Sequence, residues 1–140
     1  MFKKFFKKEE KEKLNNNILV AALLVHAAKI DENYTDEEKK IVTRSVADLF
    51  NISSEDAEKL VADAEKKEQE SNQIVEFTKE IKKYSMESRL KIIEVIWKIV
   101  YSDGINDSYE SNLIRRICGL LYVSDKDNGI IKTKVQNLLK

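Results

Sequence analysis

The stretch "ILVAALLVHAA", Ile18–Ala28, is apolar on almost every side of a helix, and only His26 interrupts it. A helix without a polar face has to be surrounded by other elements, so we predict that it lies at the centre of the core. The asparagines at positions 15–17 are plausible caps, which predicts a helix from about residue 16 to Lys29. The run is too short to cross a bilayer, which takes about 20 apolar residues.

A second run of the same kind, "LKIIEVIWKIV", occupies Leu90–Val100. Ser85 is a suitable N-cap for it, so we predict a second buried helix over about residues 86–102. Apolar residues recur at spacings of three and four through nearly all of the chain, and no strict alternation is present. The pattern therefore predicts helices and no strands.

The rest of the chain divides into further helices with short connections. It contains no proline and only three glycines, so few residues interrupt a helix. The predicted N-caps are side chains that can accept a hydrogen bond from the first turn: Thr35, Ser53, Asp107 and Ser124. A fourth helix is expected between Ser71 and Tyr84, and the sixth is expected to end near Tyr122. The sequence predicts a compact all-α domain of seven helices.

Composition limits the function classes. The 140 residues suffice for one domain with its own core, and the 25 basic and 25 acidic residues cancel. A neutral surface argues against a nucleic-acid partner, which requires a net basic face. The single cysteine, Cys118, fits a reducing compartment, and the N-terminus does not resemble a secretory signal. We expect a cytoplasmic protein.

The two halves of the chain share a pattern. At one offset Asp31 corresponds to Asp103, Glu38 to Glu110 and Arg44 to Arg116; at an offset one residue shorter, Leu49 corresponds to Leu120, Ser53 to Ser124 and Asp56 to Asp127. Each half thus has a buried helix, an acidic turn, an amphipathic helix, a serine cap and another helix. We predict two pseudo-symmetric helical units packed around the two central helices.

The acidic turns are candidate cation sites. Glu38 and Glu110 fit capping boxes and could serve only to fix a helix start. Asp31 and Asp103, however, follow helix C-termini, where the helix dipole disfavours a carboxylate, so a positive group is expected nearby. Together with Asp107, these side chains offer the oxygen ligands that Ca²⁺ and Mg²⁺ prefer, although neither turn has the spacing of an EF-hand. The alternative is a salt bridge to a nearby cation: Lys29, Arg44, Arg115 or Arg116.

No catalytic constellation is present. His26 is the only histidine, and a core histidine with a satisfied ring nitrogen is the favoured interpretation over a metal ligand. Cys118 lies on an apolar helix face and is predicted to be a buried structural thiol. The chain has no glycine-rich phosphate loop. We expect a protein that is not an enzyme.

The N-terminal stretch "MFKKFFKK" is amphipathic if helical. One side would carry the aromatic residues Phe2, Phe5 and Phe6, and the other would carry the basic residues Lys3, Lys4, Lys7 and Lys8. Basic residues opposite aromatic ones are typical of a helix that lies on an anionic membrane. Alternatively, the phenylalanines pack onto the domain. We divide the chain into this basic and aromatic segment, residues 1–13, and a helical domain, residues 14–140, with weak peripheral contact to the inner membrane as one possible role for the segment.

Two stretches carry a family resemblance: "AALLVHAAKIDENYTDEEKKIV" and "WKIVYSDGINDSYESNLIRRICGLLYVSDKD". They resemble the short, stand-alone bacterial members of the tellurite-resistance TerB-like family, over roughly residues 16–130. Its hallmark is a small-residue helix that ends in Asp-Gly, a turn, and a glutamate that opens the next helix, in two copies. The second copy fits well, whereas in the first Glu32 stands where glycine is usual. The resemblance implies an all-α fold, acidic clusters proposed to take a divalent metal, and a non-enzymatic role associated with stress.

Two functions are compatible with these observations. In the first, Asp31, Glu38, Asp103 and Glu110 bind or sense a divalent cation (Ca²⁺, Mg²⁺ or Zn²⁺) within an interaction module. In the second, the acidic residues are only caps, and a helical adaptor recruits an unidentified protein partner through a groove.

Overall fold

The computed structural model describes residues 2–29, 34–71, 73–102 and 108–138, with side chains described from residue 11 onward and, in the last range, from residue 112. These residues form seven helices and no strand: α1 (Phe2–Ala28), α2 (Asp36–Phe50), α3 (Ser54–Glu70), α4 (Ile74–Ile81), α5 (Met86–Tyr101), α6 (Ser108–Leu120) and α7 (Asp125–Leu138). The all-α prediction and the predicted helix order are confirmed.

Four of the predicted caps are confirmed by their hydrogen bonds. Each side-chain oxygen accepts the backbone N–H three residues further on, at 3.1 Å for Thr35, 3.1 Å for Ser53, 3.2 Å for Ser85 and 3.1 Å for Ser124. The predicted cap Asp107 lies outside the described residues. Hydroxyl caps satisfy backbone donors that the helix cannot satisfy itself, which is why the sequence reveals these starts.

The predicted start of the first helix is wrong. It begins at Phe2 and runs through Asn15–Asn17 without interruption. Residues 3–13 are mostly Lys and Glu, which favour helix, and asparagine costs only a few tenths of a kcal/mol in a helix interior, about 0.7 at most. Helix α4 also ends earlier than predicted, at Ile81, and residues up to Tyr84 form turns.

Helices α1 and α5 form the centre, as predicted. Helix α1 packs against α2, α3, α4 and α5, and helix α5 packs against α1, α2, α6 and α7. Residues 20–25 of α1 are all buried, and so are the α5 side chains Ile93, Ile96 and Trp97. Each central helix thus contacts the pair that follows it, α2 with α3 or α6 with α7, which is the arrangement of two similar units.

The ends of α2 and α6 repeat the same backbone motif. Asn51 and Tyr122 both adopt the left-handed conformation, with φ of 53° and 57°. The next residue, Ile52 or Val123, donates its N–H to the carbonyl five positions back, at 3.1 and 2.9 Å, as in a Schellman motif. A serine cap follows directly in both cases. The internal repeat is therefore present in the backbone as well as in the sequence.

Polar contacts also join α5 to α7. Trp97 donates its Nε1–H to Asn128 Oδ1 at 2.9 Å, and its ring stacks on Tyr101 with centroids 5.4 Å apart. Gln136 donates to the Tyr101 hydroxyl at 2.8 Å. Among the described helices, none is long and apolar enough to cross a membrane.

Candidate functional site

The described part of the first acidic turn is fixed by Thr35 and Glu38. The Thr35 hydroxyl accepts the Glu38 N–H at 3.1 Å and donates to Glu38 Oε1 at 3.3 Å. The Glu38 side chain is buried, at 7% exposure, although it is charged. The helix start therefore holds this carboxylate in one place, inside the protein and close to the end of α1.

Tyr34 lies among carboxylates at the same place. Burial, followed by the negative charges of Glu65, Glu38 and Glu68, raises the pKa of Tyr34 well above its usual value. Its hydroxyl oxygen is buried and makes no hydrogen bond of ordinary geometry with any residue that the structure describes. Burial is the larger cause of this raised pKa, and the neighbouring carboxylates add to it.

Glu68 on α3 is the second buried carboxylate, at 6% exposure. Its Oε2 accepts a hydrogen bond from Lys29 Nζ at 2.8 Å, and its Oε1 lies 3.3 Å from His26 Nδ1. The prediction that a His26 ring nitrogen is satisfied is confirmed, although the side chain is 24% exposed rather than fully in the core. Lys29 is one of the four cations proposed as alternative partners of the acidic turns, and among the described residues it pairs with Glu68 on α3.

The sequence reasoning overlooked α3 as a contributor to this site because its many acidic residues are typical of a solvated helix. One signal was available. Glu68 continues the stripe of buried residues Ala57, Leu60, Val61 and Ala64, since it follows Ala64 by four positions. A carboxylate on the apolar stripe of a helix must find a partner inside the protein. Its neighbour Glu65 pairs with Lys39 of α2 at 3.2 Å.

Most of the predicted metal ligands cannot be compared with the structure. Asp31, Asp103 and Asp107 lie outside the described residues, and the side chain of Glu110 does too. In the described part of the chain, no group of three or more His, Cys, Asp or Glu side chains is placed to hold one metal ion. The cation site therefore stays a prediction, with Glu38 as its one ligand of known position.

Of the other predicted residues, Cys118 can be compared with the structure and the N-terminal segment cannot. Cys118 is buried, as predicted, and burial, followed by the charge of Asp125, raises the pKa of its thiol to about 12. The side chains of the N-terminal segment, Phe2 to Lys8, lie outside the description, so its amphipathic character stays a prediction.

Comparison with known proteins places this fold in a family. No curated protein and no solved structure matches the chain. The model of the family described as tellurite resistance protein TerB matches residues 17–133, which span all seven helices except the start of α1 and the end of α7. The chain therefore belongs to the TerB family.

Proposed function

We propose that this TerB domain is a non-catalytic interaction module whose acidic turns bind or sense a divalent cation. Membership of the family associates the chain with tellurite resistance. The cation role is supported by one observation above all, the gathering of carboxylates at the end of α1. There burial, followed by the charges of Glu65, Glu38 and Glu68, raises the pKa of Tyr34.

Two of these carboxylates already have lysine partners, Glu68 with Lys29 and Glu65 with Lys39. Further support for the cation role comes from the surroundings of the turn. The site also adjoins the C-terminus of α1, where the helix dipole adds further negative potential. Asp31, close by in sequence, would contribute another carboxylate. A hard cation bound by oxygen atoms would offset this charge.

In this proposal the cation ligands of the first turn are Asp31 and Glu38. Those of the second turn are Asp103, Asp107 and Glu110. Ca²⁺ and Mg²⁺ suit an all-oxygen site best, and Zn²⁺ also binds carboxylates. The cation would act by holding an acidic turn against the next helix, so that its binding changes the surface offered to a partner protein.

Isothermal titration of the full chain with Ca²⁺, Mg²⁺ and Zn²⁺ tests the proposal. We expect binding heat for the wild type and weaker binding for Glu38→Gln and Asp103→Asn. Glu80→Gln is the matched control, because Glu80, near the end of α4, pairs with the exposed Lys83 in the turn that follows. Heat that is absent, or that both site substitutions leave unchanged, would exclude the cation role.

A metal-independent adaptor that recruits a protein partner is the second candidate. It is favoured by the partners that the buried carboxylates already have: the Thr35 hydroxyl for Glu38, and Lys29 with His26 for Glu68. For either function we propose a cytoplasmic location and no nucleic-acid partner, given the balanced charge. Peripheral contact of residues 1–13 with an anionic inner membrane is part of the same proposal.

A further inference from the structure

A groove of about 390 Å³ runs between α2 and α5, and the described residues that line it all belong to these two helices. Its apolar lining consists of Ile41, Leu49 and Val95. Val95 is buried, and Ile41 and Leu49 are partly covered by the core beneath them. The groove thus offers an apolar floor that the described chain leaves open on one side.

The walls of the groove are basic. Arg44, Lys91 and Lys98 line it, and all three are exposed. None of the three forms an ion pair with a residue that the structure describes, whereas Glu94 in the same wall is paired with Lys134 at 2.7 Å. Asp48 is the remaining acidic residue of the lining. Among the described lining residues, three cations against one carboxylate without an ion pair make this groove locally basic on a protein whose net charge is zero.

The internal repeat indicates what shape would fill such a groove. In the first unit, α4 follows the α2–α3 pair and packs against the central helix α1 and against α6 of the other unit. The corresponding position in the second unit lies against α5 and α2, where the groove is. Helix α4 buries Ile74, Phe77 and Ile81 and carries glutamates beside them. An amphipathic helix therefore matches the groove in shape, and acidic flanks match it in charge.

We propose that the groove between α2 and α5 binds an acidic amphipathic helix of a partner protein. Apolar side chains of that helix would cover Ile41, Leu49 and Val95, and its carboxylates would pair with Arg44, Lys91 and Lys98. This is the helix-in-groove mode of recognition, in which apolar anchors recur at helical spacing. It gives the partner-binding part of the proposed function a location, and it shares no residue with the acidic turns.

Fluorescence anisotropy of labelled peptides with the full chain tests this inference. The probe is a designed peptide of about 16 residues, long enough to form a helix, with leucines along one face and glutamates elsewhere. Two further probes are a version with lysine in place of every glutamate and a scrambled version without an apolar face. We expect the acidic amphipathic peptide to bind, with an affinity that falls as salt is added, and both other peptides to bind much more weakly.

The decisive variant is Lys91→Glu/Lys98→Glu, which turns two attractions into repulsions. We expect it to weaken binding of the acidic peptide by about tenfold or more. The matched control, Lys59→Glu/Lys66→Glu, makes the same charge change at two exposed positions of α3 outside the groove. Melting curves should show that both double variants are folded, since all four lysine side chains are exposed.

Three results would overturn the inference: no binding of the acidic peptide, equal binding of the lysine or scrambled peptide, or equal loss in the α3 control. The cation proposal is tested separately. Peptide binding that persists in EDTA and in Asp103→Asn supports the groove whether or not the turns take a metal. Binding that is lost in EDTA, but that without EDTA is weakened by Lys91→Glu/Lys98→Glu and not by the α3 control, supports the groove and the cation proposal together.

Discussion

At the scale of single residues, Glu68 is the clearest case of a charge that matters for stability. It is buried and joins α3 to Lys29 and His26 of α1. We predict that Glu68→Ala lowers the free energy of unfolding by about 1.5–3 kcal/mol, because the contact involves charged groups and is shielded from water. Equilibrium urea denaturation measures the change.

Glu80→Ala provides the comparison for Glu68. Its partner Lys83 is 66% exposed, and exposed ion pairs contribute little, so the expected loss is below about 0.5 kcal/mol. Equal losses for the two variants would show that the burial of Glu68 adds nothing to its contribution.

Cys118 leads to a prediction about pH. The buried thiol keeps its proton up to a pKa of about 12, whereas the unfolded thiol loses its proton near 9. Between these values the native state holds more protons than the unfolded state, so the free energy of unfolding contributed by this group falls as pH rises from about 9 towards 12 and is unaffected below 9.

The burial of the Cys118 thiol can also be tested directly. We expect slow reaction of the native protein with Ellman's reagent at pH 8 and fast reaction in urea.

A Cys118→Ser variant is the blank for that assay. Fast reaction of the native protein would mean that the thiol is reached by solvent, contrary to its 1% exposure.

Single-residue contacts differ in whether they could be predicted from the sequence. Thr35, Ser53, Ser85 and Ser124 could be predicted because a cap acts on a residue only three positions away. The pairing of Glu68 with His26 joins residues 42 positions apart and depends on how α3 packs against α1. No local pattern contains that information.

At the scale of elements, the end of α6 carries a bulky residue in an unfavourable conformation. Tyr122 has a φ of 57°, in the left-handed region, where any residue other than glycine or asparagine is strained by about 1–2 kcal/mol. Glycine relieves the strain but loses more backbone entropy on folding. We therefore predict that Tyr122→Gly raises the free energy of unfolding by up to about 1 kcal/mol, since the exposed ring, at 67%, packs little.

The repeat supplies the internal control for Tyr122. Asn51 occupies the same place after α2, with a φ of 53°, and asparagine already tolerates that conformation. Asn51→Gly should therefore change the free energy of unfolding by less than Tyr122→Gly does. Thermal or urea unfolding of both variants measures the difference, and a destabilised Tyr122→Gly would contradict the strain argument.

Helix periodicity was a reliable guide to the helices themselves, whereas boundaries without a strong signal were predicted wrongly. The spacing of apolar residues indicated every helix, and hydroxyl caps indicated four of the starts. The start of α1 was predicted too late because asparagines can either cap a helix or lie within one. Only the favourable Lys and Glu residues before them distinguish the two cases.

At the scale of the whole molecule, the first 12 residues can be tested for a structural role. Residues 11–15 are exposed, Leu14 at 52%, and the fully buried part of α1 begins at Val20. We predict that deleting residues 1–12 changes the melting temperature by less than about 4 °C, which for a domain of this size corresponds to roughly 1 kcal/mol. A larger drop would show that the phenylalanines pack onto the domain.

Vesicle sedimentation with the same two proteins tests the membrane part of the proposal. We expect the full chain to sediment weakly with anionic vesicles at low salt, and the deleted form not to sediment, because a single short amphipathic segment anchors poorly. Neutral vesicles are the control. Equal sedimentation of both forms would show that residues 1–12 do not contribute to vesicle binding.

Whole-molecule properties were predicted unevenly. The all-α class, the two central helices and the two-unit arrangement follow from patterns that recur along the chain. The groove between α2 and α5 could not be predicted from these patterns. Ile41, Leu49 and Val95 have the spacing of ordinary core residues, and only the packing of the other helices determines that one side of them stays open.

The continuity of α1 has a consequence for orientation. With 27 residues it is about 40 Å long, and no glycine or proline occurs in it to act as a hinge. Its C-terminal half is embedded among four other helices, so the axis of α1 and the rest of the domain turn together. Anything that captures the first turns of α1 therefore also sets the angle at which the domain stands, and with it the direction in which the α2–α5 groove faces.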